Sequence, residues 1–216
     1  MHPARTMIAI IIIASVALVP LVPASAADDE IKLTFLGTGA PRPSHDRYGP
    51  SILVEAGDYT VMVDAGPGMR ERLFQAGGFE MLTKVDHLLI THLHFDHTIS
   101  APGLWLTGWL FGRKVPMNVY GPEGTAAMMK NFETAYDWDI RYRKAVGVHA
   151  EGSELLATDL EPGVFFDEGG LKITAFDVEH LPIDTETGQL LGLEGATLGY
   201  RIDYGGRSVL FSGDTN

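Results

Sequence analysis

The chain has no cysteine. That excludes a disulfide framework and a thiolate nucleophile. Any bound metal must then be held by histidine and carboxylate. Basic residues are the next shortage: 16 Lys and Arg stand against 28 Asp and Glu, a formal net charge of −12. Such a surface repels polyanions, because nucleic-acid affinity rests largely on neutralising phosphates. The composition therefore points away from a nucleic-acid partner. The short cluster Arg141, Arg143 and Lys144 reads as a solvated helix or loop edge. Beyond residue 27 there is no repeat, low-complexity stretch or long linker. No G-x-S-x-G elbow marks a serine nucleophile. Gly37-Thr38-Gly39 is no dinucleotide fingerprint, since Arg42 stands where a third glycine belongs and Pro41 and Pro43 forbid the helix that should come next.

What is present begins with a leader. Residues 2–6 carry one positive charge, Arg5, and the apolar run MIAIIIIASVALV extends from Met7 to Val19. Pro20 and Pro23 interrupt it before Ala24-Ser25-Ala26, an A-x-A cleavage pattern. The unbroken run is shorter than the roughly 20 residues a spanning helix needs. A cleaved secretory signal over residues 1–26 is expected, with a periplasmic or secreted product that keeps no stable membrane association. Cleavage removes one arginine and no acid, so 15 basic and 28 acidic residues remain, formally −13.

Residues 27–216 are enough for one domain with its own core. Ile31–Leu36 alternates as a strand. Ser51–Glu55 and Thr60–Val63 flank Gly57-Asp58, a hairpin signal. Met69–Gln75 reads as a short helix closed by Gly77-Gly78. His87–Ile90 is a compact apolar strand, and Thr98–Phe111 reads as a buried helix with Trp105 and Trp109 in the core. Met117–Tyr120 reads as a strand and Glu123–Tyr136 as a helix entered through Pro122. Short strands are expected at Val164–Phe166, Leu171–Val178, Thr197–Asp203 and Ser208–Phe211. Strands mixed with helices in both halves indicate sheets covered by helices, a layered α/β architecture.

The strongest chemical signal is Thr91-His92-Leu93-His94-Phe95-Asp96-His97, directly after an apolar strand. Three of the eight histidines and a carboxylate fall within six residues. Imidazole and carboxylate are natural ligands of zinc and similar ions. If the strand continues, alternation puts His92 and His94 on one side, within reach of one ion. Asp96 and His97 can turn toward a second. His45 and His149 match no ligand pattern, and His87 reads as structural.

The H-x-H-x-D-H run after a strand resembles the signature of the metallo-β-lactamase fold. The likeness extends through Leu36-Gly37-Thr38-Gly39-Ala40-Pro41, Val63-Asp64-Ala65-Gly66, Tyr120-Gly121-Pro122, Asp177-Val178-Glu179-His180 with Leu198-Gly199-Tyr200-Arg201, and Phe211-Ser212-Gly213-Asp214-Thr215. It is similar to the ribonuclease Z and arylsulfatase-like branch more than to the β-lactamases proper. The resemblance implies a four-layer αββα fold. It also implies C-terminal truncation, because the family completes its second site with a histidine beyond the last residue here.

By the same resemblance His92, His94 and His180 would bind a first metal, Asp96 and His97 a second, and Asp214 would bridge the two. Asp64 would support a ligand histidine from behind. Asp96 would also be catalytic, orienting the attacking water or taking its proton. The implied cofactors are two divalent ions, zinc first and manganese also compatible. The leading expectation is an exported hydrolase that turns a metal-activated hydroxide on a small ester, either a sulfate ester or a phosphodiester. No nucleic-acid partner is expected, and a homodimer stays open. The rivals are a ribonuclease Z-like tRNA 3′-endonuclease, a lactonase or β-lactamase, and a metal-binding protein without turnover. Against ribonuclease Z stand the leader, the negative charge, and Asp64-Ala65-Gly66-Pro67-Gly68-Met69 where that enzyme usually has Asp-Cys-Gly-Glu-Gly-Thr.

Overall fold

The computed structural model describes residues 29–180, 186–189 and 196–215. The leader lies outside them. The alternating run becomes β1, Ile31–Gly37, paired antiparallel with β2, Ser51–Ala56. β2 returns through Gly57 into β3, Tyr59–Val63. Gly57 sits at φ +57°, and a Cβ there would collide with the Tyr204 hydroxyl, so this turn requires glycine.

From β3 onward pairing is parallel, and parallel neighbours need crossovers. α1, Met69–Lys84, leads to β4, His87–Leu89. α2, Phe95–Thr98, and α3, Ala101–Leu110, lead to β5, Met117–Gly121. α4, Thr125–Ala145, leads to β6, Leu155–Asp159. The first sheet is ordered β1-β2-β3-β4-β5-β6. A second, antiparallel sheet contains β7, Gly163–Glu168; β8, Leu171–Asp177; β9, Leu198–Tyr204; and β10, Arg207–Phe211, in the order β10-β9-β8-β7.

Two apolar cores hold the layers. Leu53, Met62, Leu73, Leu88, Leu104 and Trp105 fill the space between the helices and the first sheet. Val54, Val63, Leu89, Ile173, Tyr200 and Ile202 join the two sheets. The Tyr200 hydroxyl donates to the Ile90 carbonyl at 2.6 Å, pinning the second sheet to the strand that feeds the histidine cluster. Among the described residues the second sheet carries no helix on its outer face, where Lys172, Arg201 and Leu210 are exposed. The described layers are therefore helices, sheet and sheet.

Three elements differ from the sequence expectation. The helix expected to stop at Gln75 resumes after a break: Gly77 and Gly78 leave helical geometry, and the chain then continues to Lys84. α4 runs nine residues past Tyr136, helped by Arg141–Asp137 and Arg143–Asp139 pairs one turn apart. That places the basic cluster on a solvated helix. β6 has no counterpart among the expected strands.

Trp105 and Trp109 are buried, as expected, and their indole N–H groups donate to the Ser153 and His149 carbonyls. Beside them Arg113 is buried without a carboxylate partner, its guanidinium held by the carbonyls of Trp105, Val85, Val115 and Gly152. Burial lowers its pKa to about 10, which still leaves it charged at neutral pH. Trp105→Ala is expected to cost about 3–5 kcal/mol of stability, because the cavity it leaves is walled by α3 and the first sheet. Denaturant unfolding measures this, and a loss below about 1 kcal/mol would contradict the packing described.

Candidate metal centre

Ligands of open parallel sheets sit beyond the carboxyl ends of the strands. The cluster lies there, leaving β4 at Ile90 and entering α2 at Phe95. The extended stretch places His92 and His94, and the single helical turn then buries Asp96 and His97 while Phe95 faces solvent. Three other strand ends converge on the same edge. Asp64 directly succeeds β3, His180 lies three residues past β8, and Asp214 three residues past β10.

Two donor groups result. Ligand atoms of His92, His94 and His180 lie within 4.8 Å of one another, and so do those of His92, His97 and Asp214. His92 Nε2 stands 2.9 Å from His94 Nδ1. His97 Nε2 is 3.5 Å from an Asp214 carboxylate oxygen and 3.9 Å from Asp96 Oδ2. The structure thus gathers all six residues singled out as ligands at one edge. Asp214 lies with the second group. Asp96 lies beside that group but outside both triplets. His45 and His149 lie outside both as well, and His87 is held by Asp86 at 2.7 Å.

Behind the donors stands Asp64, buried at φ +59°, the one described non-glycine residue in the left-handed region. One carboxylate oxygen accepts from the Thr91 backbone N–H at 2.8 Å, and the other faces His97 Nδ1 at 2.8 Å. The Thr91 hydroxyl reaches both oxygens, and His92 Nδ1 lies 3.0 Å from it. Burial raises the pKa of Asp64, and hydrogen bonds and charge from His97 and Thr91 oppose the rise. Burial alone would lower His97, but Asp64, with Asp214 and Asp96, outweighs it and raises this imidazole. Burial, with the neighbouring His97 and His94, lowers His92 to about 3, so its ring is neutral.

This donor set fits divalent ions. His97 Nε2 and His180 Nδ1 are buried with no hydrogen-bond partner, and both belong to the clustered rings. A neutral imidazole is the ligating form. Since His92 Nδ1 is engaged by Thr91, Nε2, which faces His94 Nδ1, is the nitrogen left to ligate, and it can serve one ion at a time. Once it joins His94 and His180, the second group must rely on His97 and Asp214, with Asp96 the nearest further carboxylate. Thr91 is the participant that sequence reasoning missed; its place directly before His92 is the only signal.

Gly213 carries Asp214 into position at φ +62°, and a Cβ there would sit 2.7 Å from the Thr91 Cβ. Gly213→Ala is expected to push Asp214 away from His97 and weaken the second group most. Metal titration checks this: an unchanged stoichiometry and affinity would contradict it. An open trough of about 410 Å³ runs beside this group, with Phe35, Ile52, Leu210, Asp64, His97 and Asp214 among its walls.

Residues 59–216 match the family model described as the beta-lactamase superfamily domain. The chain belongs to the beta-lactamase superfamily. Ribonuclease Z of Mycobacterium sp. (strain KMS) is 33% identical over 197 residues, covering 86% of this chain and 61% of the relative. Ribonuclease Z of Mycobacterium avium (strain 104) is 35% identical over 192 residues, covering 86% and 63%. The chain thus spans less than two thirds of these superfamily relatives. Among solved structures, the short form of human tRNase Z matches with a TM-score of 0.59 at 24% identity, covering 84% of this chain and 68% of that one. The metallo-β-lactamase fold protein YhfI from Bacillus subtilis matches at 0.57 and 21%, covering 85% and 63%. These likenesses establish the metallo-β-lactamase fold.

Two expectations are corrected. The leading reading of the substrate, a small sulfate ester or phosphodiester, gives way to the ribonuclease Z alternative, because the matched relatives carry that name. The expectation of no nucleic-acid partner falls with it. Its error was physical: formal charge sums the whole surface, whereas a polyanion needs favourable potential only where it docks.

Proposed function

We propose that the centre hydrolyses phosphodiester bonds in RNA, as a tRNA 3′-endonuclease would. The observation that carries the reading is the coincidence of two donor groups on one strand edge with 33–35% identity to ribonuclease Z. Zinc is the proposed metal, since the donors are imidazole and carboxylate without sulfur. Divalent ions bound there would supply activated water and offset the charge that develops on the phosphoryl oxygens.

The protein's own groups have separable tasks. Asp64 accepts from His97 Nδ1–H, which leaves the Nε2 lone pair facing the centre. Thr91 does the same for His92 through its hydroxyl. Asp96, buried 3.9 Å from His97 Nε2, would hold water or accept its proton. Phe35 and Leu210 flank the approach along the trough.

The test uses the natural protein and a precursor tRNA with a 3′ trailer. A single endonucleolytic cut is expected, abolished by a chelator and restored by zinc or manganese. Failure to cut with either metal, alongside hydrolysis of a lactone or cephalosporin, would overturn the reading in favour of acyl chemistry.

The leader is a separate proposal. Residues 1–26 would direct export and be removed after Ala26, which mass spectrometry of the N-terminus checks. A mature protein retaining Met1 would refute it.

A further inference from the structure

A second cavity, of about 400 Å³, lies against the other side of the β1 exit. It shares Phe35, Gly37 and Thr38 with the trough beside the metal centre. Its walls include Arg47, Tyr48 and Arg72. Arg72 lies over the Tyr48 ring, 4.8 Å from its centroid, a cation–π contact that holds the guanidinium in place. One terminal nitrogen donates to Gln75 Oε1 at 3.2 Å, while Nε is buried with no acceptor. A buried orphan donor on a charged group calls for an unseen partner. Asp46 also lines the cavity, so two arginines face one carboxylate there, a local positive excess in a chain of net charge −12.

We propose that this cavity is a phosphate subsite, in which Arg72, with Arg47, holds a backbone phosphate of the RNA a short distance along the strand from the bond that is cut. The inference rests on the RNA reading above. Arginine suits the task because its planar donors match phosphate oxygens two at a time, and its contacts with the Tyr48 ring and Gln75 already restrict its rotamers. The shared wall places the subsite beside the centre without making it part of the donor groups. It also supplies what the overall charge conceals, a local point where a polyanion is attracted.

The experiment compares Arg72→Met, Arg72→Lys and Arg47→Met with the parent protein, each loaded with metal. Two substrates are used: the 3′-extended tRNA, and bis(p-nitrophenyl) phosphate, whose single phosphate is the one hydrolysed and leaves none for the subsite. Arg72→Met is expected to lower kcat/KM on RNA at least tenfold, mainly through KM, and to leave the small diester within about twofold. Arg72→Lys should recover only part of the loss, since it keeps charge but not the planar fork. Equal losses on both substrates, or none on either, would overturn the subsite.

A binding arm is independent of turnover. Inorganic pyrophosphate is titrated while the Arg72 Nε–H resonance is monitored by NMR. A saturable shift, absent in Arg72→Met, is expected, and an unmoved resonance would overturn the proposal. A shift without any RNA cleavage would instead leave the subsite standing and remove the RNA reading.

Discussion

Replacing His92 by alanine is expected to remove the metal centre's function almost completely. His92 belongs to both donor groups, whereas His94 and His180 belong to one and His97 and Asp214 to the other. Its ligating nitrogen is Nε2, because Nδ1 faces the Thr91 hydroxyl. Removing it leaves the first group only His94 and His180, while the second keeps His97 and Asp214 with Asp96 beside them. The rate should therefore fall by more than the roughly 10–100-fold typical of losing a group behind a ligand. His94→Ala should lower occupancy of the first group while leaving the second. Metal analysis distinguishes the variants: His92→Ala is expected to retain at most one weakly held ion per chain. Two tightly bound ions in that variant would show that His92 is not a ligand.

Asp64→Asn is expected to be the second-largest loss, by a different route. The carboxylate accepts every hydrogen bond it makes, from Thr91 N–H, from the Thr91 hydroxyl and from His97. An amide offers one accepting oxygen and one donating nitrogen. Turned to keep Thr91, it presents N–H to His97 Nδ1, and the ring must then carry its proton on Nε2. That tautomer cannot ligate through Nε2. Asparagine tolerates the left-handed backbone at this position, so the fold should survive. Metal affinity at the second group is expected to drop about 10–100-fold, with the melting temperature little changed. Asp64→Ala should also unfold more easily, because it places alanine at φ +59° at about 1–2 kcal/mol and strands the Thr91 N–H at about 1–3 kcal/mol. Unchanged affinity in Asp64→Asn would contradict the assigned role.

Legibility in the sequence depends on whether the signal is local. Alternation in Ile31–Leu36 and Leu171–Val178 is a property of the strand itself, and those strands form where expected. The histidine cluster is legible because its spacing matches first a strand and then a helical turn. β6 is not, because an edge strand with exposed Leu156 and few β-branched residues has no period strong enough to read. The α1 break reads as an end, since a glycine pair marks the interruption but does not reveal that the helix resumes beyond it. Thr91 gains its role only through Asp64, 27 residues away. Overall charge hides local arrangement: Arg72 joins Arg47 and Tyr48 only in the folded chain, and no sum of charges contains that.

Anomalous diffraction at the zinc edge, on crystals of the natural protein grown with zinc, tests the two-group centre most directly. The expected map has two peaks about 3.5–4 Å apart. One lies among His92 Nε2, His94 Nδ1 and His180. The other lies beside His97 Nε2 and Asp214, within reach of Asp96. A single peak, or peaks away from these six residues, would contradict the account.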